Sequence, residues 1–103
     1  MNNITQVSQI TAQDVADYLR ITELTADDTN TLNTLLTVAK AFITNYTGQT
    51  DLDSYQDFVI VVFILVQDMW DNRTLYVDTT NLNYVIEAIL GMHSINLLPT
   101  EET

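Results

Sequence analysis

Apolar residues recur along this chain in two patterns. Between about residues 10 and 47 they fall at intervals of three and four, whereas from Phe58 to Val66 they run unbroken as FVIVVFILV, nine in a row, until Gln67 and Asp68. The first pattern is the stripe of amphipathic helices. The second is too short for a membrane span, because crossing a bilayer core takes about 20 apolar residues. It is expected to be buried in protein.

Helix starts are marked three times by a hydroxyl residue followed three positions later by an acid: Thr11 with Asp14, Thr25 with Asp28, and Ser54 with Asp57. In such a capping box the hydroxyl accepts from a free amide of the first turn, and the carboxylate answers the positive end of the helix dipole. Ile10 and Val15 are placed to close the first helix as a hydrophobic staple, with Ala12, Val15, Ala16 and Leu19 facing inward. The second helix, Thr25 to about Thr47, carries Leu32, Leu35, Leu36, Ala39, Phe42, Ile43 and Tyr46 on one face, and Gly48 is its stop. Its many threonines weaken intrinsic propensity, so packing must hold it.

The unbroken run alone does not separate a buried strand from a buried helix. Its context does. It follows the Ser54 box and continues without Gly or Pro through Gln67 to Arg73, which is helix length, and no second strand-like segment offers a ladder to satisfy its backbone. An all-round apolar helix is the central one of a bundle, with Val59, Phe63, Val66 and Trp70 at its centre. A fourth helix carries Leu82, Val85, Ile86, Ile89 and Leu90 and is expected to end at Gly91. The fold expected is therefore all-α: one domain over residues 1–103, a small bundle of four or five helices around a central helix at about 54–73, with 1–9 and 97–103 as tails.

Charge changes the picture more than composition does. Fourteen acidic residues face three basic ones, Arg20, Lys40 and Arg73, for a net charge of −11. No basic patch exists to hold a phosphate backbone, so specific nucleic-acid binding is not expected. With 47% hydrophobic residues in periodic arrangement, the chain is not a disordered acidic tail either. It contains no cysteine, and its first residues have neither the basic nor the apolar region of a secretory signal, so an intracellular protein is the default expectation.

Candidate chemistry is sparse. His93 has no acid at helix-face spacing and reads as a surface or capping histidine. Asp51 and Asp53 resemble the start of a calcium loop, but the sixth and twelfth positions are Gln56 and Val62 rather than Gly and Glu. Asp68 and Asp71 share a helix face and read as solvated charges or partners of Arg73. No phosphate loop or nucleophile elbow is present. No catalytic residue, cofactor or metal is expected, and the chain does not read as an enzyme.

Three stretches together carry a resemblance: Tyr18-Leu-Arg-Ile21, Ala41-Phe-Ile-Thr-Asn-Tyr-Thr-Gly48, and Val59 through Asp68-Met-Trp-Asp-Asn-Arg73. In order and spacing, over about residues 10 to 75, they resemble the head-tail connector, or adaptor, proteins of long-tailed bacteriophages. Beyond residue 80 the chain departs from that family, which often ends in a short basic helix. The resemblance implies a structural virion protein of the neck, made in the host cytoplasm during assembly. It would form a ring of about twelve copies that joins the portal at the capsid vertex to the tail or stopper protein and extends the DNA channel. An acidic channel wall repels phosphates and lets DNA pass. The resemblance also marks Arg20, Trp70 and Arg73, with Trp70 filling the end of the core and Arg73 capping its helix and pairing with an acid such as Asp71 of a neighbouring copy. Subunits of this charge repel one another, so the free protein is expected to be mostly monomeric, with Leu75, Tyr76, Val77, Ile95, Leu97 and Leu98 as the apolar residues that join copies. The alternative is an acidic helical inhibitor or DNA mimic that binds a basic partner, which would need acids spaced along one exposed face.

Overall fold

The computed structural model describes residues 4–77, 82 and 84–94, and among these it is all helical. Four α-helices follow one another: α1 Ala12–Leu19, α2 Ala26–Thr47, α3 Asp57–Asn72 and α4 Tyr84–His93. Two short 3-10 turns, Val7–Gln9 and Leu52–Ser54, precede α1 and α3. Two of the three expected capping boxes form. Thr11 Oγ1 accepts from the Asp14 amide at 3.1 Å and Thr25 Oγ1 from the Asp28 amide at 3.0 Å, with both carboxylates reaching back to the cap N–H.

The third box does not form. Ser54 donates its hydroxyl to Asp51 at 2.7 Å and belongs to the separate 3-10 turn, so α3 starts three residues later at Asp57, with Gln56 at the cap and no side-chain bond to it. Ser54 donates to the acid three positions before it, and its oxygen accepts from none of the amides that open α3.

α3 supplies the centre of the core. Phe58, Val61, Val62, Phe63, Val66 and Met69 are almost wholly buried, and Val59 and Leu65 nearly so. Burial is not all-round, however: Ile60 is 46% exposed, and Ile64, Gln67 and Asp71 continue that outward stripe at intervals of three and four. Trp70 sits half-buried at the edge rather than at the centre. Three helices and the first turn pack on α3 and leave one face open. α2 covers it most extensively, through Leu32, Leu35, Leu36, Ala39 and Ile43, while Phe42 is half-buried and Tyr46 turns outward. Thr31 and Leu35, early in α2, stand beside Met69 and Trp70, late in α3, so the two helices run antiparallel.

Threonine hydroxyls in α2 bond back to the preceding turn, Thr29 to Thr25 O, Thr34 to Asn30 O and Thr37 to Asn33 O. Buried Thr47 does the same to Ile43 O at 2.7 Å and accepts from the Gln49 amide. These bonds satisfy hydroxyls locally but add nothing to propensity. α4 runs through Gly91 to His93 instead of stopping there, because nothing at Gly91 demands a left-handed residue; Ile86 and Leu90 are its buried contacts, and Val85 is 49% exposed. Residues 1–9 read as a tail, yet Val7 is buried in the core and the Ser8 amide donates to Asp53 at 2.8 Å.

Candidate functional site

The end of α3 is built from a left-handed turn in an unusual residue. Arg73 has φ 56°; its amide donates to Trp70 O at 3.3 Å and the next amide, Thr74, to Met69 O at 3.0 Å. This pair of bonds is the Schellman termination, whose left-handed position normally belongs to glycine. Arg20 ends α1 identically, with φ 61°, its amide on Asp17 O and the Ile21 amide on Ala16 O. At the end of α2 the left-handed residue is the expected Gly48, φ 78°. Each stretch that carried the family resemblance thus contains a helix terminus.

Past the last turn of α3, Arg73 folds back so that its guanidinium lies 5.1 Å from the centre of the Trp70 ring. A cation over an indole face is attracted by the ring quadrupole. No acid among the described residues pairs with Arg73. Asp71 points outward with Ile64, Gln67 and Asp68 around a shallow polar concavity, and Asp68 accepts from Asn72. Arg20 is exposed, with no ion pair among the described residues.

The strip after Arg73 turns apolar side chains outward. Thr74 donates its hydroxyl to Tyr76 O at 3.2 Å, while Leu75 and Tyr76 are 62% and 63% exposed and Val77 rests half-buried on the core. On one side of Leu75 lies a cavity of about 150 Å³ bounded by Thr31, Leu35, Met69, Trp70 and Arg73. On the other lies one of about 350 Å³ bounded by Val38, Ala41, Phe42, Asn45 and Val77. Thr31, Leu35, Val38, Phe42 and Asn45 are spaced by three and four along α2, so both cavities belong to one groove between α2 and the strip. Among the described residues Arg73 is the one charged group in its walls. Of the remaining residues singled out in the sequence, Ile95, Leu97 and Leu98 lie outside the described residues.

A second cluster was not legible in the sequence. His93 Nε2 lies 3.1 Å from Asp57 Oδ2, an acid 36 positions away, and its ring meets Tyr55 at 4.4 Å and the edge of Phe58 at 5.2 Å. Gln49 donates to the His93 carbonyl at 2.8 Å. Spacing along one helix could not reveal a partner on another, so His93, read as a surface or capping histidine, gains in Asp57 an acid that the sequence did not show. The cluster ties the end of α4 to the start of α3 and the end of α2. The Asp53 carboxyl, four residues before Asp57, is held below the usual carboxylate range by the Ser8 amide and hydroxyl, with Lys40 adding to the effect.

No group of three or more His, Asp or Glu among the described residues is placed to hold a metal ion, and no helix among them is long and apolar enough to cross a membrane. No protein-family model, curated protein or solved structure matches the chain.

Proposed function

We propose that this chain is a structural connector of a bacteriophage neck, a ring-forming subunit that joins the portal vertex to the tail and extends the DNA channel. The observation that carries the proposal is the end of α3: an apolar strip and a groove whose described walls hold no carboxylate, on a subunit whose net charge is −11. Copies so charged repel one another wherever carboxylates meet, so they associate only through a surface that keeps carboxylates apart and apolar groups together. The strip Leu75–Tyr76–Val77 and the groove beside it offer such a surface. The resemblance of the helix ends to the connector family supports the same reading.

In this role the acids have a physical use. A ring wall rich in carboxylates repels the phosphates of passing DNA, so the duplex slides without being held. The portal and the next tail or stopper component are the partners, and none of the steps is a chemical reaction. Electron microscopy of the protein mixed with portal rings tests the proposal. A closed ring seated on the portal is expected, whereas separate subunits beside bare portals would overturn it.

A further inference from the structure

The charge of Arg73 is left unmatched among the described residues. Acids outnumber bases fourteen to three in this chain, yet among the described residues this guanidinium has no carboxylate and rests on Trp70. Directly beside it opens the cavity of about 150 Å³ walled by Leu35, Met69, Trp70 and Leu75, a size that accepts a benzene-sized apolar group. An apolar seat with a single cation at its edge selects an aliphatic side chain followed within a few residues by a carboxylate.

The chain contains such a stretch, Leu97-Leu98-Pro99-Thr100-Glu101-Glu102. Resting on the ring reading above, we infer that this stretch of one copy docks on the next, a leucine entering the cavity and a glutamate meeting Arg73. The leucines of the same copy are the poorer occupants, because their tether and the cavity lie at opposite ends of α3. His93 is tied to Asp57 at the start of α3 and to Gln49 just past the end of α2. From Asp57, the cavity residues Met69 to Arg73 stand about 18–24 Å further along α3 at 1.5 Å per residue. The four residues from Ser94 to Leu98 span at most about 14 Å. A contact in which each copy gives one stretch and receives another runs head to tail, and such contacts close into rings when the rotation between copies allows.

The test uses the whole chain, a synthetic peptide of residues 94–103, and the emission of Trp70, the single tryptophan. Arg73→Asn removes the charge while suiting the left-handed turn, and Thr31→Phe fills the cavity from an exposed position. Circular dichroism of each variant alone establishes that it is folded. The peptide is expected to shift Trp70 emission saturably. Binding should weaken about tenfold with Arg73→Asn, and equally with a peptide carrying Gln at 101 and 102; with Thr31→Phe it should be lost. No saturable shift, or one indifferent to all three changes, overturns the inference. So does a chain whose emission is constant on dilution and unmoved by peptide, yet changes when residues 95–103 are deleted, since the cavity is then filled by its own copy. A closed ring without peptide binding would remove this contact and leave the connector reading standing; peptide binding without a ring would do the reverse.

Discussion

Replacing Phe63 by Ala tests the arrangement of the bundle at its centre. The ring is 1% exposed and packs 5.0 Å from Tyr18, whose hydroxyl in turn donates to Gln67 at 3.2 Å. α1 and α2 both pack on α3, and Phe63 is fully enclosed between its neighbours. A buried aromatic side chain hides roughly 150–250 Å², which at about 25 cal/mol per Å² is worth roughly 4 to 6 kcal/mol. Measured Phe→Ala changes in cores fall at about 3 to 5 kcal/mol once relaxation is included. That is a large part of the roughly 5–15 kcal/mol that a domain has in total. Ile60, three residues earlier but 46% exposed, is the internal control: Ile60→Ala should cost under about 1 kcal/mol. Urea denaturation followed by circular dichroism measures both. A Phe63→Ala loss below about 1 kcal/mol, or an Ile60→Ala loss equal to it, would mean that the buried and open faces of α3 are assigned wrongly.

Three further outcomes are expected. Gly91→Ala should stabilise the protein by about 0.5 to 1 kcal/mol in the same assay, since Gly91 is inside α4 and nothing lies within 4 Å of the added methyl. The Asp53 carboxyl is held below its ordinary value of 3.8 by Ser8, so its contribution is present above that value and is lost as pH falls through the lower folded-state value; Asp53→Asn should flatten this acid-side loss, read as hydrogen exchange at the Ser8 amide. Sedimentation should show mostly monomer at low salt and growing self-association as salt screens the −11 charge, whereas oligomers that dissociate with added salt would mean that opposite charges join the copies.

What was legible in the sequence was local. Thr11 with Asp14, Thr25 with Asp28 and Gly48 act within one turn of themselves, and the periodicity of Leu32 to Ile43 reports a face that meets the core whatever covers it. Readings that depended on a choice between equal local options went astray. Ser54 has an acid three positions away on either side, Asp51 and Asp57, and bonds Asp51. Gly91 can end a helix but is not obliged to, while Arg20 and Arg73 adopt the left-handed turn that composition assigns to glycine. Contacts between distant positions left no signal at all: Asp57 with His93 and Ser8 with Asp53 are separated by 36 and 45 residues. The groove belongs to this second kind, since Leu75, Tyr76 and Val77 were visible as apolar residues but their alignment with α2 was not.

The most direct test of the connector reading is electron microscopy of the protein with portal rings, backed by native mass spectrometry of the same mixture. The account predicts a closed ring of many copies stacked coaxially on the portal, with the Leu75–Val77 strip at the contact between subunits. A protein that stays monomeric beside the portal, or that instead forms a one-to-one complex with a basic partner, would contradict it.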